Sequence, residues 1–440
     1  MIIYIIFTSL IILFLIEYYF QRSYMAPFAL LLSAFLMATA IIIANIKDWD
    51  VHINSKFALY IFTAIASFAF GCIIIRLFSG SWIPVESVEV SECQKKIFAG
   101  NYPSIFMFMV SLICTVSYLY LMIRNVGFSA NFSAMLNTIY RETVSGSTSN
   151  FVLHQFYEIV VAVAKINFFQ LMALRYIEKS NKKRVVLYIP IIFFGFCMII
   201  STDRNVFIRF VLYCLCLWML FFTYTSTKSR QKTNWKILRK TLFYLLILLL
   251  VFFGLGKLKN YTSNLNRMIG LYGGSGLYNF NLFLDTFSGK NLEFGNSTFS
   301  VFRNVLKRFG LLGGDAIRTA THGEFITYRS STGYVYTSNI YSAMRPYVED
   351  FGYFGLILYP LILGIIFEKL YRLTNKRPFG FSWVFYSLMM YPVVYFIIAE
   401  QFFRRFHLGM VYEIGWVVIF YFLIYGRRGL WNKRIVFRLG

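Results

Sequence analysis

Charge is what this 440-residue chain has least of: 14% of its residues are Asp, Glu, Lys or Arg, against 58% hydrophobic, and mean hydropathy is +0.62. A soluble domain cannot hide that much apolar surface, and runs of about 20 apolar residues recur along the whole length. Acidic groups are scarcest, 19 against 43 Lys and Arg, which leaves a net charge of +24. In a water-soluble protein that excess would suggest nucleic acid. Here most cations fall in short segments between apolar runs, where positive charge fixes membrane orientation, and no nucleic-acid partner follows. The six cysteines (Cys72, Cys93, Cys114, Cys197, Cys214, Cys216) lie in or beside apolar runs, so neither a disulfide framework nor a CxxC metal pattern is encoded. HExxH and GxSxG are both absent. Gly273, Gly274 and Gly276 cluster without the GKS or GKT ending of a nucleotide loop and read as a flexible joint. The N-terminus shows no basic leader and no small-residue cleavage site, and reads as a retained span. No internal repeat is visible, which weighs against the paired halves of many secondary transporters.

What is present is a series of about eleven apolar spans, at 2–20, 27–46, 57–78, 103–124, 152–174, 185–201, 206–225, 241–256, 352–371, 382–399 and 411–425. Period-two strand segments are missing, so the expected fold is an all-α polytopic membrane protein, a single membrane domain over 1–440. Basic connections follow the odd-numbered spans: Arg22; Lys95 and Lys96; Lys179 to Arg184; Lys228 to Lys240; Arg372, Lys376 and Arg377; and the tail from Arg427. The positive-inside rule then puts these in the cytoplasm and the N-terminus outside. Two sizeable segments face outward, 125–151 and a large extracytoplasmic loop at 257–351. The second carries ten basic and six acidic residues, a net of +4. Two readings of that excess stand: an anionic ligand on the outer side, or a basic loop resting on lipid headgroups.

Several outward residues are candidates for binding. Phe132, Met135, Leu136, Ile139 and Tyr140 recur at helical spacing with Arg141 on the opposite face, as in an interfacial helix whose arginine either grips phosphate or anchors at headgroups. Asp203 and Arg204 sit at the tip of one outer hairpin; Glu400, Arg404, Arg405 and His407 occupy another; Arg318 and Arg329 add to the long loop. Arginine matters because its guanidinium stays charged and holds phosphate oxygens in pairs. Asp48 and Asp50 form a D-x-D that reads either as an ion clamp on phosphate or as a plain acidic turn. In span five, His154, Glu158 and Lys165 share one helical stripe. A charge at the depth of Lys165 costs about 2.5–3.5 kcal/mol, so the stripe should face a polar cavity or a partner in another helix. Glu158 and Lys165 themselves are about 10 Å apart along the axis, too far for a direct pair.

The long loop closes with SNIYSAMRPYVEDFGYFG, residues 338–355, and the chain then turns apolar. Arg345, Glu349 and Asp350 therefore sit where a water-facing segment meets a span. Asp350 reads either as a site residue or as a cap on the helix it precedes. The stretch resembles the signature of Wzy-type polysaccharide polymerases, the O-antigen and capsule repeat-unit polymerases of bacteria, through Asn339, Tyr341, Pro346, Asp350, Phe351, Gly352 and Gly355, with Arg345 in the polar position before proline. The motif covers about twenty-five residues; the many-span layout with one dominant late outer loop extends the likeness.

That resemblance implies a metal-independent, cofactor-free glycosyltransferase of the membrane-embedded type C class in the bacterial inner membrane, with its site facing the periplasm. It would move a growing glycan from undecaprenyl pyrophosphate onto the terminal sugar of a new lipid-linked repeat unit, beside a flippase and a chain-length regulator of the same pathway. Arg345 would be the main pyrophosphate contact, assisted by Arg141, Arg204 or Arg404, with Glu349, His322 or Glu324 as base. A lipid-linked oligosaccharide flippase or other transporter, using the span-five stripe, and an O-antigen ligase, using His322, are the competing expectations.

Overall fold

The computed structural model describes residues 1–79, 101–127, 151–176, 185–201, 204–225, 265–289, 292–311, 326–331, 333–376, 378–405 and 408–426, with Met135, Thr138, Ile139 and Arg239 as isolated positions. In chain order these form α1 (Ile2–Gln21), α2 (Pro27–Ala44), α3 (Ser55–Phe78), α4 (Asn101–Val126), α5 (Phe151–Tyr176), α6 (Val185–Ser201), α7 (Arg204–Thr225), α8 (Leu265–Gly273), α9 (Ser275–Thr286), α10 (Ser300–Arg308), the strands β1 (Ile326–Arg329) and β2 (Val335–Ser338), α11 (Met344–Lys376), α12 (Phe381–Met389), α13 (Tyr391–Val394) and α14 (Leu408–Tyr425), with 3-10 turns at Tyr395–Ile397 and Phe403–Arg405.

Among the described residues seven helices, α1 to α5, α7 and α11, are long and apolar enough to cross a membrane, and shorter apolar helices cover 185–201, 381–397 and 409–425. Expected span eight, 241–256, lies outside the described residues. The chain is a helical multi-pass membrane protein. Its outward surface fits that solvent: α1 turns Tyr4, Ile5, Ile12, Leu15, Tyr19 and Phe20 away from the protein.

Two expectations change. The tenth span is not one helix, because α12 ends at Met389 and the chain resumes as α13 and a 3-10 turn; Pro392, which lacks an N–H, sits in the first turn after the break. The helical fold also holds one antiparallel hairpin, β1 against β2, with Ile326 opposite Ser338 and Arg329 opposite Val335.

The described chain divides into two compact units, one of 1–85, 263–377 and 389–407, the other of 86–262, 378–388 and 408–440. In the first, α3 and α11 cross backbone to backbone. A Cβ on Gly71 would lie 2.3 Å from the Leu361 carbonyl oxygen, and one on Gly364 would lie 2.2 Å from that of Phe68. Small residues permit this approach, and dispersion between the closely packed helices supplies the attraction that hydrophobicity cannot supply in lipid. The glycine cluster is likewise a packed break between α8 and α9 and not a loose joint: a Cβ on Gly276 would meet the Ile397 carbonyl oxygen at 2.3 Å, and one on Gly274 would meet Ile41 at 2.7 Å.

The two ends of α3 are held differently. At its start, Asn54 donates from Nδ2 to Asp285 (3.0 Å) and from its backbone N–H to Asn281 (3.1 Å). At its far end, about 36 Å away for 24 residues, the buried Arg76 donates to both carboxylate oxygens of Glu17 (2.8 and 2.5 Å) and to Glu368 (3.1 Å), which also accepts from Arg372 (3.1 Å). Two cations and two carboxylates thus join α1, α3 and α11. Removing Arg76 strands Glu17 as a buried charge and leaves Glu368 with Arg372; Arg76→Ala is expected to cost about 3–5 kcal/mol. A melting curve in detergent checks this, and the quadruple change of Glu17, Arg76, Glu368 and Arg372 to leucine should recover most of the loss.

The second unit is built around α5, whose Tyr157, Val160 and Val161 pack with Tyr118 of α4, Phe194 of α6 and Phe210 of α7. Polar side chains add interhelical bonds: Trp416 donates to Gln155 (2.8 Å), Gln170 to Ser104 (3.2 Å) and Trp218 to the Tyr176 hydroxyl (2.9 Å).

Candidate functional site

The stretch singled out by the sequence forms the opening of α11, and its two glycines shape it. The helix breaks at Phe351 and Gly352, where Gly352 takes φ 57° and ψ −141°, a conformation essentially confined to glycine. The chain then folds back so closely that a Cβ on Gly355 would lie 2.0 Å from the Tyr347 carbonyl oxygen. The rings of Tyr347 and Tyr359 stack across this break at 4.6 Å.

Residues 344–350 are held by the segment before α10. The Glu349 and Asp350 carbonyls accept from the N–H groups of Glu293 (2.9 Å) and Phe294 (3.1 Å). Asp350 does not cap its own helix: its two carboxylate oxygens accept from the backbone N–H groups of Ser297 (2.9 Å) and Thr298 (2.8 Å). The break at Phe351–Gly352 replaces the helix start that a cap would serve. Glu349 is also committed, accepting from Arg345 Nε (2.6 Å) and from the Ser297 hydroxyl (2.5 Å). Arg345 is buried, its guanidinium 3.9 Å from the Tyr341 ring centroid and 4.9 Å from that of Phe283.

The connection from 400 to 405 completes the cluster. Glu400 is buried, and its carboxylate gathers the N–H groups of Phe402 (2.8 Å), Phe403 (2.9 Å) and Arg404 (2.8 Å). Burial pushes this carboxyl above its ordinary range, opposed by those three bonds and by the Arg404 charge. Burial pulls the Arg404 guanidinium down, opposed by Glu400, then Glu349, with Arg345 adding to the fall and Asp350 opposing it. Arg404 stands within electrostatic reach of all four. Its Nε and Nη2 are buried without a hydrogen-bond partner among the described residues. Arg303 Nε shares that condition, on the helix whose preceding residue, Phe299, packs edge-on against Phe403 at 5.2 Å. Buried N–H groups of this kind are costly unless something accepts from them.

The structure therefore brings Arg345, Glu349, Asp350, Glu400 and Arg404 together. Carboxylates outnumber the two arginines, yet each is already satisfied: Asp350 and Glu400 by backbone N–H groups, Glu349 by Arg345 and Ser297. Among the described residues the charged donors left over in this cluster belong to Arg404 and Arg303, and Arg303 escaped sequence reasoning because nothing sets one loop cation apart from its neighbours. Arg329 is exposed on the hairpin. Arg141, Arg318, His322, Glu324, Asp203 and His407 lie outside the described residues, as do the side chains of Arg204 and Arg405.

Two other expectations resolve as structural contacts. Lys165 finds its partner in another helix, the Glu413 carboxylate of α14, which also accepts from Arg209 (2.7 Å). Glu158 is buried with His154 at 3.6 Å. Arg209 and Glu413 were detectable as ionisable residues inside apolar runs. Asp48 accepts from the Tyr336 hydroxyl (2.7 Å) and through its carbonyl from Ser331 N–H (2.8 Å), so it ties down the hairpin, while Asp50 pairs with His52 at 3.5 Å. Among the described residues no three His, Cys, Asp or Glu converge as metal ligands. Compared with protein-family models, with curated proteins and with solved structures, the chain matches none of them.

Proposed function

We propose that this protein is an oligosaccharide repeat-unit polymerase: a glycosyltransferase that moves a growing glycan from undecaprenyl pyrophosphate to the terminal sugar of a new lipid-linked repeat unit, for O-antigen, capsule or exopolysaccharide. The observation that carries the reading is the pair of Arg404 nitrogens, Nε and Nη2, buried without a hydrogen-bond partner among the described residues and beside Arg345, Glu349 and Asp350. Arg404 donates to the pyrophosphate, and its charge stabilises the leaving group as the bond to the sugar breaks. Arg345 holds Glu349 in place and keeps the 344–350 turn packed against residues 297–298. The acceptor hydroxyl gives up its proton as the new bond forms, and Glu349, the carboxylate bonded to Arg345, takes it once Arg345 or Ser297 lets go.

Location supports this reading. At the start of α3, Asn54 of the 45–56 connection bonds Asn281 and Asp285 of the 257–351 segment, both of which the positive-inside rule puts outside, whereas Glu17, Arg76 and Arg372 gather at its other end. The site then opens toward the periplasm from the inner membrane. A transport pathway along the span-five stripe loses support, since Lys165 is buried in an ion pair with Glu413. Deletion of the protein tests the proposal against its rivals. Single repeat units on the surface lipid are the expected result, whereas bare core would mean a ligase or a flippase; polymer formed from substrate supplied only on the outer face then excludes a transport-only role.

A further inference from the structure

Helix α10 is amphipathic the wrong way round for water. Phe302, Leu306 and Phe309 follow one face at helical spacing, with Ser300, Arg303 and Lys307 on the other. It is the apolar side that is open: Phe302 is 49% exposed, while Phe309 and, just beyond it, Leu311 are each 70% exposed. The polar side turns inward, with Ser300 fully buried and Arg303 Nε buried. In an aqueous loop this arrangement leaves large apolar groups in water and takes charge out of it.

The position of the segment says what covers it. Glu293 and Phe294 are hydrogen-bonded through their N–H groups to the carbonyls of Glu349 and Asp350, and the Phe294 ring meets Phe351 at 6.1 Å. Phe294 is therefore level with the break at which α11 becomes a span, and it is itself 71% exposed. The first outward residues beyond that break, Tyr353, Phe354 and Ile357, are exposed too. The open apolar side of the loop is thus continuous with the outward face of a spanning helix, at the depth where aromatic residues sit between headgroups and acyl chains. Lys307 adds a half-buried positive charge at the end of the helix, of the sign that anionic headgroups attract.

We infer that residues 294–311 form a membrane-interface anchor, with bilayer lipid covering the Phe302, Phe309 and Leu311 face, so that this part of the long loop lies in the membrane boundary and not in water. The inference stands whether or not the protein is a polymerase. The test uses the full chain in phosphatidylethanolamine–phosphatidylglycerol liposomes, with a bimane probe on Phe302→Cys, Phe309→Cys or Leu311→Cys. Arg329→Cys on the hairpin is the water-facing reference, and the unsubstituted protein is the blank. Probes at 302, 309 and 311 should be quenched several-fold more by shallow spin-labelled phosphatidylcholine than the probe at 329, and several-fold less by aqueous iodide. Iodide quenching equal to that at 329 would place the face in water, and resistance to both quenchers would mean a protein partner or a second copy; either outcome overturns the inference. A variant that is not monodisperse before reconstitution is replaced by one of the other two positions.

Discussion

Arg404→Ala should cut polymer formation by about 10²–10³-fold, the usual cost of removing one preorganised donor from a developing negative charge. The protein should stay in the membrane, because the turn that carries Arg404 is fixed by Glu400 through backbone N–H groups and not through the guanidinium. Arg404→Lys keeps the charge but loses the paired donors, so an intermediate rate is expected. Arg345→Ala should behave differently. It frees Glu349 as a buried carboxylate beside Asp350, so a loss of thermal stability should accompany the loss of polymer. Transfer rates and melting curves on the same purified variants separate the two: Arg404→Ala moves the rate alone, Arg345→Ala moves both. Equal loss of stability in the two would assign Arg404 to structure.

Gly355→Ala is the second large effect. The added methyl would lie 2.0 Å from the Tyr347 carbonyl oxygen and 2.7 Å from its carbon, so both obstacles are backbone and no rotamer change relieves them. Overpacking of this kind costs about 1–3 kcal/mol, more where the backbone must move. The move available, opening the fold-back at Phe351–Gly352, pulls Glu349 and Asp350 away from residues 293–298. Melting temperature and polymer yield should therefore fall together. Gly415→Ala serves as the control: nothing lies within 4 Å of its Cβ position, and alanine is the better helix former. Its melting curve should match or exceed the parent's.

How far the sequence could be read follows the range of each signal. Apolar runs are local, so the seven long apolar helices and the three shorter ones were legible, including the boundary at 351–352 where α11 breaks. The candidate site was visible as polar residues next to a span, in 337–355 and again in 400–405. Partners were not visible, because helical spacing gives a face and not the neighbour it meets. Lys165 called for a counter-charge, but nothing local pointed to Glu413, 248 residues later. Asp350 misled for the same reason: the nearest open N–H groups in sequence belong to its own helix, whereas those it binds lie 53 and 52 residues earlier. The inverted face of α10 was hidden as well, since spacing shows that Phe302 and Phe309 share a face but not whether that face is exposed.

Purified protein in liposomes, given undecaprenyl-pyrophosphate-linked repeat units on the face that carries the 257–351 segment, provides the decisive assay. A ladder of lipid-linked glycans that lengthens with time is expected, with undecaprenyl pyrophosphate released once per step, and loss of both with Arg404→Ala. Substrate that is left unextended by well-folded protein, or extended equally well by the Arg404 variant, would contradict the polymerase reading.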